Sequence, residues 1–161
     1  MEKVTGFAGR YVLLVTIPFW CFSNFVFLES AVAEMILFSE VNGVVTKKGK
    51  PVHGAEVRRS YTWNWNNQKS SETTVTDGEG RFSFPVVAGS SFLGSLIPHE
   101  PIVSQAMHIY VDGKEYDAWI YRKDNYNHNG ELDGKPIELI CDLDESPDVP
   151  VGEIYGICRV K

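Results

Sequence analysis

Cysteine and histidine are scarce in this sequence, which contains three Cys and four His among 161 residues. No two cysteines form a CxxC pair, which argues against a zinc or thioredoxin-type site. The histidines are scattered, and the chain contains no HExxH, HxxEH, GxSxG or glycine-rich phosphate-loop motif. The sequence therefore predicts a non-enzymatic protein, with no catalytic residues, no cofactor and no metal site.

Basic residues are also in the minority, with 15 Lys and Arg against 21 Asp and Glu and a net charge of −6. The charges of the first 33 residues cancel, so the remainder also carries −6. Binding to nucleic acid needs Lys and Arg gathered on one face. An acidic chain without a basic cluster argues against a nucleic-acid partner.

Charged residues are absent between Tyr11 and Phe22, a stretch that follows Lys3 and Arg10 and precedes the small-x-small sequence Ala31-Val32-Ala33. This pattern predicts an export signal in residues 1–33 and a periplasmic or secreted domain in residues 34–161. Two alternatives stay open. If uncleaved, residues 11–28 would form an N-terminal membrane-anchor helix, because 18 residues at ~1.5 Å each just span the hydrocarbon core. If translation begins at Met35, the protein is cytoplasmic.

Three strand patterns separated by turns follow one another between Val41 and Phe84. A β-branched run that begins at Val41 ends in a polar turn at residues 47–50. A second strand follows Pro51. The sequence Asp77-Gly78-Glu79-Gly80 then has the composition of a hairpin turn and precedes the alternating Phe82 and Phe84.

This region resembles the carboxypeptidase regulatory-like modules, a transthyretin-like group of small β-sandwiches, through the pattern G-x-V … G-x-P-v-x-G-a-x-V … T-D-x-x-G-x-F-x-F. The pattern is carried by Gly43, Val45, Gly49, Pro51, Gly54, Ala55, Val57, Thr76, Asp77, Gly80, Phe82 and Phe84. Residues 111–116 and 129–132 also look similar to an uncharacterised family of small bacterial proteins built on this module. The resemblance implies an all-β fold, an antiparallel Ig-like or transthyretin-like (prealbumin-like) sandwich of about seven strands. It also implies an accessory or binding role.

A second hairpin is predicted around Asp112-Gly113-Lys114, with Asp117, Trp119 and Tyr121 sharing one face of its second strand. Farther on, Cys141 and Cys158 both fall at inward positions of neighbouring predicted strands. An exported domain can cross-link them, and the alternative is two buried thiols that never meet. The pattern leaves both readings open.

Tyr61, Trp63 and Trp65 share one face of the strand that follows Pro51, beside a polar loop rich in Asn. Such a row suits a carbohydrate platform or an anchor for a protein partner. Alternatively, the rings cover one end of the core, which we favour for Trp63, whereas we favour a surface role for Trp65.

Acidic residues gather in a proline-containing loop after Cys141, and the candidate binding residues there are Asp144, Glu145 and Asp148. Clustered carboxylates speed the encounter with a basic partner, although a solvated connection is the plainer interpretation. Together with the aromatic row, this loop predicts a module that recognises another protein, a basic effector or enzyme. One concrete form is an immunity-type inhibitor of a toxin or lipase. The alternative is a carbohydrate-binding or cell-surface accessory domain.

The segment Asn125–Gly130 matches the first half of a calcium-binding EF-hand loop, with Asn125, Asn127 and Asn129 at ligand positions. The twelfth position is Pro136, where such a loop needs a bidentate Glu. We therefore predict a polar turn that needs no calcium.

Overall fold

The computed structural model of the protein describes residues 34–90, 97–147 and 154–161. Residues 1–33, which carry the predicted signal or anchor, lie outside this described part. Within it, no helix has the length and apolar character needed to cross a bilayer.

Strands account for nearly all of the regular structure in the described residues. They are β1 (Met35–Phe38), β2 (Val41–Lys47), β3 (Lys50–Pro51), β4 (Glu56–Trp63), β5 (Gln68–Val75), β6 (Arg81–Phe84), β7 (Val87–Gly89), β8 (Val103–Val111), β9 (Lys114–Lys123), β10 (Ile137–Asp142) and β11 (Cys158–Val160), with one 3-10 turn at Gly130–Leu132. The all-β prediction is confirmed. The strand count exceeds the expected seven because β1, β3, β7 and β11 are short pieces of two to four residues.

The strands form two larger sheets and a small one. Sheet 1 has the order β11-β10-β2, with β3 and β6 both pairing with β2; sheet 2 has the order β5-β4-β8-β9; β1 and β7 pair with each other. Both larger sheets contribute to one buried hydrophobic cluster. Its members include Val45, Val57, Phe82, Phe84, Ile109 and Leu139, and Ile154 is partly buried against it.

One pairing departs from the antiparallel arrangement that the sequence predicted. β10 runs parallel to β2, with Ile137 opposite Val41 and Asp142 opposite Thr46. A parallel pair needs a long crossover connection. Here the connection from β2 to β10 includes all four strands of sheet 2. The remaining strand pairs are antiparallel among the described residues.

The turn before β6 is held by the side chain of Asp77. Its Oδ1 accepts hydrogen bonds from the backbone N–H groups of Glu79 and Arg81, at 2.9 and 2.8 Å. Gly80 closes the turn with a φ of 72°. A Cβ atom at this position would lie 2.5 Å from the carbonyl oxygen of Val45.

We expect Gly80→Val to lower the free energy of unfolding by about 2 kcal/mol or more, because it adds both a strained φ and a backbone clash. Glu79→Val, one residue earlier on an exposed position, should change it by less than about 0.5 kcal/mol. Urea denaturation of the two variants checks this, and equal losses would contradict the described turn.

A buried carboxylate lies between the strands at one end of sheet 2. Glu131 accepts hydrogen bonds from the N–H and Oγ–H of Ser39 (3.0 and 2.7 Å) and from Gln105 Nε2 (2.8 Å). Its other polar contact is Lys123 Nζ at 3.0 Å, and both charged side chains are fully buried. The polar loop at residues 124–134 therefore directs Glu131 into the core.

The asparagines of this loop shape the turn. The Asn125 side chain accepts from the N–H of Asn127 and donates to the carbonyl of Gly130, each at 3.1 Å. Asn129 adopts a left-handed φ of 54°, and its N–H donates to Ser39 Oγ at 2.8 Å. The turn chemistry accounts for the composition that resembles half of an EF-hand loop.

The electrostatics of Glu131 and Lys123 reflect their burial. Burial alone would raise the pKa of Glu131, but the hydrogen bonds from Gln105 and Ser39 and the charge of Lys123 outweigh it, so that this pKa lies below its usual value. Burial lowers the pKa of Lys123, because the shared carboxylate does not fully replace its lost hydration.

We expect Glu131→Gln to cost about 3–5 kcal/mol of unfolding free energy near neutral pH, because it leaves the Lys123 ammonium buried without an anion. A carboxylate whose folded-state pKa is lowered stabilises the protein above the unfolded pKa of about 4.3 and loses that contribution as the pH falls through the folded value. The difference in unfolding free energy between wild type and Glu131→Gln should therefore become smaller below about pH 4. Glu138→Gln, on an exposed position of β10, is the matched control, and a pH-independent gap would contradict this account.

Candidate functional site

The predicted aromatic row lies mostly in the core, which corrects the idea of an exposed platform. Trp63 and Tyr61 are 1% and 9% exposed. The indole Nε1 of Trp63 donates to the hydroxyl of Tyr126 at 2.8 Å. Trp65 is half-buried in the turn between β4 and β5, and its ring centroid lies 4.1 Å from that of His99. Of the three rings, Trp65 is the one that presents surface.

The acidic loop folds back on the domain where the structure describes it. Asp144 accepts a hydrogen bond from the N–H of Lys48, and Glu145 pairs with Arg159, whose Nε lies 2.9 Å from Oε2. Both of these candidate binding residues therefore have partners within the domain. Asp148 lies outside the described residues.

The outer face of sheet 2 carries a shallow groove of about 440 Å³. Its floor consists of small side chains from the two central strands, Ser60 and Thr62 from β4 and Ser104 and Ala106 from β8. Larger side chains line it as well: Ile120 and Arg122 from β9, and Tyr155.

The two edges of sheet 2 differ. On one edge, the segment before β11 covers β9: Ile120 and Tyr155 exchange two backbone hydrogen bonds (2.7 and 3.0 Å), and the N–H of Ile157 donates to the carbonyl of Asp117. On the other edge, β5 pairs with β4 in continuous register over eight residues and has no second strand partner among the described residues. Seven of the eight β5 residues are exposed.

A disulfide secures the covering segment. Cys141 on β10 is bonded to Cys158 on β11, the strand that directly follows this segment. Gly156 lies within the segment at a φ of 145°, where a Cβ atom would meet the carbonyl oxygen of Ala118 at 2.3 Å. The disulfide thus ties a strand of sheet 1 to the residues that cap the edge of sheet 2.

β9 contains a bulge at the point where it is covered. Met107 lies opposite Trp119 and His108 lies opposite Asp117, so that Ala118 has no opposite residue on β8. Ala118 and Trp119 are both buried, and Asp117 shares the outer face with His108. The predicted common face for Asp117, Trp119 and Tyr121 is therefore wrong for Asp117, because one extra residue reverses the alternation.

His108, Glu115 and Asp117 are consequently brought together on the outer face of sheet 2. The imidazole Nε2 of His108 lies 3.5 Å from Asp117 Oδ1 and 3.8 Å from Glu115 Oε1. These three residues were not predicted to meet. The two-residue turn at Asp112-Gly113 carried the signal, since it fixes the hairpin register that sets His108 opposite Asp117.

Residues 41–146 match a family described as a domain of unknown function (DUF6795). The chain belongs to this family. Among solved structures, it is similar to an alternative pilotin from the type II secretion system of Vibrio cholerae, with 16% identity and a TM-score of 0.31 over 63% of this chain and 95% of that one. An overlap this loose defines neither the topology nor the role of the chain. No curated protein matches it.

We expect the disulfide to stabilise the domain by about 3 kcal/mol, the value for a closed loop of roughly this length, here a separation of 17 residues. The double substitution Cys141→Ser with Cys158→Ser should lower the free energy of unfolding by that amount. Reductant should lower the stability of wild type and leave the double variant unchanged. Ready alkylation of both thiols in non-reduced, unfolded protein would contradict the bond.

Proposed function

We propose that this protein is a non-enzymatic, exported binding module whose partner is another protein that adds an extended strand to the free edge of β5. The observation that carries this proposal is the regular outer edge of β5, which has no second strand partner in the part of the chain that the structure describes. The burial of Tyr61 and Trp63 removes most of the row on which a carbohydrate-binding role depended.

The backbone groups at a sheet edge determine which kind of partner can bind there. A strand at the edge of a sheet presents a row of alternating N–H and C=O groups, and an extended polypeptide matches that spacing. Proteins commonly guard such edges with proline, a bulge or a covering segment. β5 contains no proline and its register with β4 has no bulge, whereas the opposite edge has both a bulge and a cover.

The side chains along β5 are compatible with a polar partner. Its charged residues are Lys69 and Glu72, and Glu72 is paired with the buried guanidinium of Arg59. Trp65 sits in the turn that leads into β5, where a half-buried indole can anchor the end of a bound strand. The net charge of −6 favours a basic partner, such as a toxin or lipase that an immunity-type inhibitor would block.

The disulfide supports export, since such bonds persist in the periplasm and outside the cell and are rare in a reducing cytosol. We also propose that the two larger sheets form a transthyretin-like module, which the motif at residues 43–84 implies. Modules of that group serve as accessory or binding domains.

Site-specific photocrosslinking in the native cells tests this function. A photoreactive benzoylphenylalanine at Ser71 or Thr73 on β5 should give one discrete crosslinked protein, identified by mass spectrometry. The same group at Glu138 is the control, because that residue is exposed on an interior strand of sheet 1. An equal crosslink at Glu138, or none at either β5 position, would refute the proposed surface.

A pair of proline variants separates edge pairing from side-chain contact. The N–H groups of Ser70 and Ser71 point to opposite sides of β5, so that one of Ser70→Pro and Ser71→Pro removes an edge donor and the other removes a bond to β4. The variant that retains the wild-type melting temperature should bind the crosslinked partner about tenfold more weakly, the equivalent of about 1.4 kcal/mol. Unchanged affinity in that variant would exclude strand addition.

A further inference from the structure

Three side chains with metal-binding groups converge on the outer face of sheet 2, away from the β5 edge. His108 from β8 and Glu115 and Asp117 from β9 each direct one ligand atom to a common point, and these atoms all lie within 4.8 Å of one another. The side chains are 23%, 54% and 44% exposed, so that an ion from solvent can reach them.

The fold, rather than chance proximity of mobile side chains, brings these groups together. The hairpin register sets His108 opposite Asp117 and Tyr110 opposite Glu115. Asp117 keeps the outer-face position that this register gives it, while the bulge at Ala118 lets Trp119 enter the core. The N–H of Ile157 donates to the carbonyl of Asp117 at 2.9 Å and fixes the backbone of this ligand. Bulges often re-aim side chains in this way next to functional sites.

The separations suit a first-row divalent ion. Zinc binds imidazole nitrogen and carboxylate oxygen at about 2.0–2.2 Å, which in tetrahedral geometry places neighbouring ligand atoms about 3.4 Å apart. The observed separations from His108 Nε2 are 3.5 and 3.8 Å, close enough for small side-chain rotations to complete the site. Three protein ligands leave a fourth position for water or for a donor from another molecule.

The local charge also suits a cation. Two carboxylates and one imidazole offer two negative charges when the imidazole is neutral. Arg58, which lies opposite His108 on β4, donates to Glu56 Oε1 at 2.9 Å and stacks over Tyr110 at 4.9 Å from its ring centroid. Its charge is thus held by Glu56 on the same strand. An imidazole among the ligands favours zinc-like transition ions over calcium or magnesium.

We propose that His108, Glu115 and Asp117 form a binding site for one divalent transition-metal ion of the zinc class. This site does not depend on the proposed strand addition, because it lies near the β9 edge of sheet 2 and β5 forms the opposite edge. It lies on the same outer face as the groove, one row of side chains beyond Ser60 and Ala106.

Metal titration of the full-length chain, purified without a histidine tag, tests the site. Calorimetry with Zn²⁺ should give one bound ion per chain, and Co²⁺ should produce a visible absorption band that Zn²⁺ removes. His108→Ala and Asp117→Asn should each weaken binding by at least tenfold. His128→Ala and Asp133→Asn, which remove an exposed His and an exposed Asp elsewhere, should bind as wild type does.

A second measurement guards against loss of fold in the variants. Zn²⁺ should raise the melting temperature of wild type, His128→Ala and Asp133→Asn, and should leave that of His108→Ala unchanged. In wild type, the imidazole NMR signals of His108 should shift with one equivalent of Zn²⁺. The proposal is overturned if binding is not saturable, if His108→Ala binds as tightly as wild type, or if the signals of His108 do not move.

Discussion

The buried carboxylate of Glu131 is the interaction on which the arrangement of the strands depends. An ionised carboxylate in a protein core costs several kcal/mol unless its oxygens are fully hydrogen-bonded. Here the bonds come from three separate parts of the chain: Ser39 after β1, Gln105 on β8 and Lys123 on β9. Each partner must be in place before the charge can be buried. The loop that delivers Glu131 is therefore as much a part of the core as the strands are.

A second buried charge extends this polar centre towards sheet 1. The guanidinium of Arg59 is 1% exposed and lies between the rings of Phe38 and Phe84, at 4.9 and 4.7 Å from their centroids. It donates to the carbonyls of Ser39 and Pro85 and pairs with Glu72. Ser39 thus serves both centres, because its carbonyl accepts from Arg59 while its N–H and hydroxyl donate to Glu131. The positive charges of Arg59 and Lys123 are thus balanced by the carboxylates of Glu72 and Glu131.

Local patterns in the sequence predicted the strands between Val41 and Phe84, the turn at residues 77–80 and the alternation of Phe82 and Phe84, because each depends on neighbouring residues. The polar centre was not predictable in this way. Ser39 and Glu131 are 92 residues apart, and neither has a local signal for burial. The bulge at Ala118 was also not predictable from the local pattern. Strict alternation puts Asp117 and Trp119 on the same face of β9, but the extra residue puts them on opposite faces. The parallel pairing of β10 likewise depends on the path of the whole chain.

The two edges of sheet 2 differ in how they are covered, and this difference bears on binding. At β9 the chain uses a disulfide, a glycine pressed against Ala118 and three backbone hydrogen bonds to close the edge. The hairpin turn sets Asp117 opposite His108, and the covered bulge at Ala118 lets Trp119 enter the core directly after it. At β5 no comparable cover is present among the described residues, although the edge of this regular eight-residue strand is open there to unwanted pairing. The proposed strand addition by a partner would give β5 the cover that β9 receives from its own chain.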